Sequence, residues 1–132
     1  MKCVEINPVG NFEHWDLEKI KELRDESEIN VSLGQKLLFE NSTSRLWDLT
    51  LWPSQRIPFR RHEFPHSIIC MTKGLAISRF GTGKINLVQF EEGDTEFLEP
   101  NENNSIYDLE NIGESIIKLF VLEMRHRKTV FA

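Results

Sequence analysis

The residues best suited to binding or catalysis lie between positions 58 and 66. This stretch contains Arg60, which could point into the protein, and two histidines. Arg60 and His62 are two positions apart, so on a β-strand their side chains share one face. A guanidinium recognises a carboxylate or phosphate through a planar fork, and we weigh this role for Arg60 against an ion pair with Glu63 or another acid. For His62 and His66 the alternatives are metal ligation and hydrogen-bonded pocket or core histidines.

Tyr107 and Cys70 are the other candidates. A buried tyrosine more often satisfies its hydroxyl group by a hydrogen bond than acts as an acid or base, and we expect this of Tyr107. Cys70 lies in an apolar run four residues after His66, so we expect a small buried hydrophobic residue, with a Cys/His nucleophile as the alternative. The run Gly81-Thr82-Gly83-Lys84 lacks the spacing and the following helix of a phosphate loop, and a hairpin turn explains it better.

The chain that must position these residues changes its pattern near residue 32. After it, short runs of aliphatic, aromatic and β-branched residues are separated by Gly, Pro, Asn or Asp, which is typical of an all-β protein. The predicted strands cover residues 36–40, 45–52, 56–60, 66–72, 75–80, 84–90, 95–98, 105–109 and 115–123. So many short strands favour a double-sheet jelly roll or a closed barrel. Core packing is the expected role of the aromatic residues, namely Trp47, Trp52, Phe59, Phe80, Phe90 and Phe97.

Both ends of the chain differ from this β-region. The charged run over residues 13–28 has a thin apolar stripe through Leu17 and Ile20, which predicts a short surface helix within an N-terminal extension over residues 1–32. A partner-binding helix is the alternative. The barrel is predicted over residues 33–124. Residues 125–132 begin with a basic run and are expected to form a solvated tail, with an anion-binding arm as the alternative.

Three stretches of the β-region resemble the motifs of small single-domain cupins. Residues 58–66, followed by Lys73-Gly74, resemble the first conserved box of that family. Residues 90–100 resemble its Gly-Asp…Pro step, and residues 107–115, with Asn111 and Gly113, resemble the ending of its second box. The likeness covers about residues 45–124. It implies an all-β fold, the cupin double-stranded β-helix or jelly-roll barrel, preceded by the short N-terminal helical extension.

The resemblance also implies a divalent metal, and this chain departs from the motif that would hold it. Arg60 stands at the first histidine position, His62 matches the second, the carboxylate position falls on or near His66, and Tyr107 replaces the histidine of the second box. A guanidinium about 4 Å from a dication would repel it by roughly 8 kcal/mol at an effective dielectric of about 20. We therefore favour no metal cofactor; a divalent transition metal, if bound, would use His62 and His66.

Composition limits the classes of protein that remain. The 132 residues carry 16 basic and 21 acidic side chains, a net charge of −5, and no large basic cluster, so nucleic acid is not an expected partner. No apolar run approaches the roughly 20 residues of a membrane span, and no signal sequence is evident. Two cysteines, 67 positions apart, suit reduced thiols in the cytoplasm.

These observations lead to three functional hypotheses. The first is a cupin-fold protein that binds a small anionic or polar molecule through Arg60, His62, His66 and Tyr107, with the metal site lost or altered. The second is a metal-dependent cupin enzyme of the dioxygenase or isomerase type that uses His62 and His66. The third is a non-catalytic structural or interaction module. A homodimer is expected in each case from the resemblance, with the strand over residues 36–40 crossing to a partner sheet.

Overall fold

The computed structural model describes residues 1–25, 27 and 29–125. The helix is α1 Leu17–Arg24, and the strands are β1 Lys2–Asn7, β2 Lys36–Glu40, β3 Ser44–Leu51, β4 Arg56–Arg61, β5 His66–Cys70, β6 Gly74–Arg79, β7 Ile85–Phe90, β8 Thr95–Leu98, β9 Ile106–Asn111 and β10 Ile117–Met124. They form two antiparallel five-stranded sheets. Sheet I has the order β1-β7-β6-β9-β4, and sheet II has the order β2-β3-β10-β5-β8. The predicted all-β, double-sheet architecture is confirmed.

The core lies between the two sheets because their strands alternate apolar and polar residues. Trp47, Leu49 and Leu51 of β3 are buried while the residues between them are partly exposed. On the neighbouring strand β10, Leu119 lies opposite Leu49 and Val121 opposite Trp47, so the inward residues form rows across the sheet. Three aromatic residues expected in this core are outside it: Trp52 is 56% exposed, Phe97 is 53% exposed, and Phe59 is buried against Trp15 instead.

The N-terminal segment is more structured than the sequence indicated. Lys2–Asn7 forms β1, which pairs with β7 at the edge of sheet I, where no strand had been predicted. The helix is shorter than the charged run because it begins after Asp16, whose carboxylate caps it by accepting a hydrogen bond from the Glu18 N–H at 2.9 Å. Of the predicted tail, only Arg125 lies within the described residues.

Helix α1 lies on the outer face of sheet I, and contacts on either side of its start hold it there. None of its residues is buried. Just before it, Trp15 stacks on Phe59 of β4 with ring centroids 6.1 Å apart. Within it, the Glu22 carboxylate accepts hydrogen bonds from both terminal nitrogens of Arg56 at 2.8 Å and from the Phe59 backbone N–H at 3.1 Å. The helix is therefore attached by an aromatic contact and one carboxylate.

Strand β4 carries an irregularity that decides which side chains face inward. Its pairing with β9 shifts register between Ile57 and Arg60, which is a β-bulge. Without a bulge, Ile57 and Arg60 would point to opposite faces, since they are three positions apart. With it, Ile57, Arg60 and His62 all line the space between the sheets, while Phe59 packs outside against Trp15.

Candidate functional site

A cavity of about 300 Å³ lies between the two sheets. Its lining includes the exposed residues Cys3 and Glu99, so it is open to solvent. Its size is at the lower end of the range typical of small-molecule sites. All four candidate binding residues from the sequence, Arg60, His62, His66 and Tyr107, contribute to its wall.

One wall of the cavity is a row of side chains across sheet I. Arg60 on β4 lies opposite Tyr107 on β9, Tyr107 is bridged to Phe80, and the Phe80 N–H donates to the carbonyl of Lys84. The Tyr107 and Phe80 rings are 5.2 Å apart, and the Lys84 ammonium is 4.4 Å from the Phe80 ring centroid, a cation–π distance. The row thus has a cation at each end and two aromatic rings in the middle.

Arg60 has no anionic partner within the described part of the chain. No carboxylate oxygen lies within 4.0 Å of its guanidinium, so the alternative of an ion pair with Glu63 is not found there. Its Nε is buried without a hydrogen-bond partner in that same part of the chain. Burial, with a smaller contribution from Arg56, lowers the Arg60 pKa, and Glu22 opposes this. The guanidinium therefore retains its capacity to bind an anion in the cavity.

His66 and Tyr107 form a hydrogen-bonded pair whose proton positions follow from the geometry. Burial lowers the pKa of His66, which favours the neutral ring with a single N–H. His66 Nδ1 is 3.0 Å from the carbonyl oxygen of Phe64, which can only accept, so the N–H is at Nδ1. His66 Nε2 therefore accepts from the Tyr107 hydroxyl, 3.0 Å away. Tyr107 thus satisfies its hydroxyl group as expected, and its oxygen lone pairs remain free for the cavity.

His62 packs against this pair. Its ring is parallel to that of Tyr107, with centroids 3.8 Å apart and 5° between the planes, and its centroid is 4.9 Å from that of His66. His62 is 6% exposed, and burial with a contribution from His66 lowers its pKa to about 3. Its Nδ1 has no partner among the described residues. Both histidines are therefore neutral at physiological pH.

The sequence analysis did not select four charged residues that line the cavity, namely Lys84, Glu96, Glu99 and Asp108. Lys84 was considered as part of a turn and as the first residue of the predicted strand over residues 84–90. The turn is present, with the Gly83 N–H donating to the Phe80 carbonyl. Glu96 lies on the edge strand β8 opposite Ile68 of β5, and both side chains line the cavity. Glu96 and Phe97 are adjacent and therefore lie on opposite faces of β8. Because Phe97 is apolar, the sequence favoured Phe97 and not Glu96 as the inward side chain.

Cys70 is buried in the core, as expected. Burial raises the pKa of its thiol to about 11, with a further contribution from Asp94. Both nitrogens of His66 are engaged elsewhere, so His66 does not activate the thiol. The alternative of a Cys/His nucleophile has no geometric support.

Solved structures with the same arrangement of two sheets are numerous. A cupin domain from Bordetella pertussis Tohama I matches with a TM-score of 0.62 at 12% identity, over 75% of this chain and 98% of that one. This protein has the cupin fold. An RmlC-like cupin family protein with a double-stranded β-helix fold from Methanocaldococcus jannaschii gives 0.55 at 16% identity, over 69% and 78%. The cupin domain of Schizosaccharomyces pombe Cnp3 gives 0.53 at 12% identity, over 92% and 84%. The sequence matches no protein-family profile and no curated protein.

The cupin fold often houses a metal, but the side chains at the corresponding place do not make a suitable set of ligands. The protonated Nδ1 of His66 cannot ligate, and its Nε2 is occupied by Tyr107. Arg60 brings a positive charge to the same wall. Within the described residues, no group of three or more His, Cys, Asp and Glu side chains could surround an ion. The function proposed below uses no metal.

In the described part of the chain, no helix is both long and apolar enough to cross a membrane.

Proposed function

We propose that this cupin barrel binds a small organic anion, with Arg60 as the residue that holds its acid group. The observation that carries the proposal is a guanidinium that faces the cavity without a carboxylate partner in the described chain. Leaving such a charge in a largely apolar cavity costs free energy, and an anionic ligand would offset this cost through a charge-assisted fork.

The neighbours of Arg60 support the same proposal. Tyr107 offers its oxygen as an acceptor for a ligand hydroxyl or protonated group, and His62 has an unused Nδ1. The rest of the wall is apolar, including Leu49, Val88 and Leu119, and would select the shape of the ligand's body.

Calorimetric titration with hydrocinnamate and caproate tests the proposal. Arg60→Met keeps the length of the side chain and removes the fork, so we expect the affinity for both acids to fall at least about tenfold. Arg61→Met is the matched control, because Arg61 is the adjacent arginine and does not line the cavity. Equal binding by the parent protein and Arg60→Met, or no binding of either acid by the parent, would overturn the proposal.

We also propose that two copies pair through β2. This strand lies at the edge of sheet II, and its apolar residues are open, with Leu38 41% and Phe39 53% exposed. Antiparallel pairing of two copies about Leu38 would place Lys36 of one copy opposite Glu40 of the other, so the charges are complementary. Light scattering tests this: Leu38→Lys should give monomers, and Leu17→Lys, on helix α1 where Leu17 is 71% exposed, should not. A monomeric parent or a dimeric Leu38→Lys variant would contradict it.

We also propose a cytoplasmic location for this protein. It is supported by two cysteines that are not bonded to each other, Cys3 on the surface and Cys70 in the core.

A further inference from the structure

The cavity has charges of opposite sign on facing sheets. Sheet I contributes Arg60 and Lys84, and Glu96 of β8 faces them from sheet II, with Glu99 following at the mouth. The carboxylate of Asp108 does not count toward this balance, because Arg56 and Arg79 bind it on the outer side of sheet I. The ammonium group of Met1, another lining residue, is paired with Asp94. The wall is therefore not uniformly cationic; it has a positive side and a negative side.

These charges do not neutralise one another. Among the ion pairs of the described chain, none includes Arg60, Lys84, Glu96 or Glu99. The side chain of Glu96 also has no hydrogen-bond donor there, although it is only partly exposed. Its charge is felt inside the cavity, since after burial it is the second influence that raises the pKa of Tyr107. The Glu96 carboxylate thus acts on the same cavity that Arg60 and Tyr107 line.

A ligand with an acid group alone would satisfy Arg60 and leave its own negative charge facing Glu96. Like charges on a shared, partly desolvated site disfavour binding, whereas a ligand with an ammonium group as well would meet a partner on each sheet. The volume of about 300 Å³ corresponds to about ten water molecules, taking roughly 30 Å³ for each. Covalently bonded atoms pack more closely than separate water molecules, so an amino acid of the size of phenylalanine fits.

Resting on the proposed role of Arg60, we infer that the preferred ligand is a small zwitterion, whose carboxylate binds Arg60 and whose ammonium group binds Glu96. Apolar and aromatic residues of the same cavity, Phe80, Phe90 and Val88 among others, would contact its hydrocarbon body. The class comprises amino acids with an apolar chain.

Two matched pairs of ligands test the inference by calorimetry. Phenylalanine and hydrocinnamate differ only in an amino group next to the carboxylate, and ε-aminocaproate and caproate differ only in one at the far end. We expect the amine to improve affinity about tenfold in at least one pair, as a charge-assisted hydrogen bond in a partly buried site does. In Glu96→Gln this advantage should vanish while the binding of the plain acid stays or improves. Glu99→Gln, at the exposed mouth, should keep the advantage.

The outcomes separate the two proposals. If the plain acids bind through Arg60 and the amines give no gain in either pair, or if the gain survives in Glu96→Gln, the zwitterion inference is overturned and the anion site stands. If no member of either pair binds the parent protein, both are overturned. Thermal unfolding of Glu96→Gln, expected to match the parent, confirms that the variant is folded.

Discussion

Replacing Glu22 by alanine removes the carboxylate that ties helix α1 to strand β4. Three hydrogen bonds end on it, two from Arg56 at 2.8 Å and one from the Phe59 N–H at 3.1 Å. Arg56 keeps Asp108 as a second partner at 2.7 Å, but the Phe59 N–H is left without an acceptor at the bulge. The loss of stability therefore comes partly from the broken ion pair and partly from the backbone N–H that has lost its acceptor.

The expected cost is about 2 kcal/mol of unfolding free energy, of which roughly half comes from the unpaired N–H. The ion pair contributes only the remainder, because Glu22 is 31% exposed and solvent weakens such pairs. For a domain of this size, a loss of about 2 kcal/mol lowers the melting temperature by roughly 8 °C. Urea unfolding followed by tryptophan fluorescence measures the free energy directly.

The pH dependence of this cost has a definite sign. Burial raises the Glu22 pKa, but the hydrogen bonds from Arg56 and Phe59 outweigh it and leave the pKa below its usual value. A carboxylate with a lowered pKa stabilises the folded state above its unfolded-state pKa, and this is lost as the pH falls through the folded-state value. The difference between the parent and Glu22→Ala should be full at pH 7 and should shrink below about pH 4.

Two further variants sharpen the experiment. Glu18→Ala lies on the same helix, where Glu18 is 77% exposed, and should change stability by less than about 0.5 kcal/mol. Glu22→Gln retains an oxygen for the Phe59 N–H and should recover about half the loss. Because the bulge turns Arg60 inward, Glu22→Ala should also weaken hydrocinnamate binding. If Glu22→Ala costs no more than Glu18→Ala, the reasoning about the bulge is wrong.

Three other substitutions or reactions give direct checks. Tyr107→Phe leaves His66 Nε2 without its donor and should cost about 1 to 2 kcal/mol of unfolding free energy in urea; no cost would contradict the hydrogen bond between Tyr107 and His66. Glu123 is 3% exposed, and burial raises its pKa, so Glu123→Gln should stabilise the protein at pH 8 and have little effect at pH 4, as measured by melting temperature; the reverse order would refute the sign. In a thiol titration with a chromogenic disulfide, Cys3 should react at once and Cys70 only on unfolding, and two fast thiols would contradict the burial of Cys70.

Strands with strong local patterns could be predicted from the sequence, and strands defined by distant partners could not. Strand β3 shows the first case, since Trp47, Leu49 and Leu51 alternate with polar residues and all three are buried. Strand β1 shows the second. Its short run has only one buried residue and is a strand because it pairs with β7, more than 70 positions away.

The candidate site followed the same division. Arg60, His62, His66 and Tyr107 converge on one cavity, as the resemblance to cupin motifs implied. Glu96 was missed because the face of β8 is set by its register with β5, and that register turns the more apolar Phe97 to solvent.

The role of Glu22 was hidden for a related reason. Its three hydrogen bonds all go to β4, more than 30 positions along the chain, and nothing in the helical segment itself distinguishes it from the other acidic residues. The bulge that exposes the Phe59 N–H is likewise a property of the pairing between β4 and β9.

The hydrogen bond from His66 to the Phe64 carbonyl fixes the direction of the neighbouring hydrogen bond in the cavity wall. A carbonyl oxygen can only accept a hydrogen bond. Tyr107 therefore donates to His66, and His66 donates to the Phe64 carbonyl. With the opposite hydrogen-bond directions, the Phe64 carbonyl would have no donor inside the protein. The Tyr107 oxygen can therefore accept a hydrogen bond from a molecule in the cavity but cannot donate one to it.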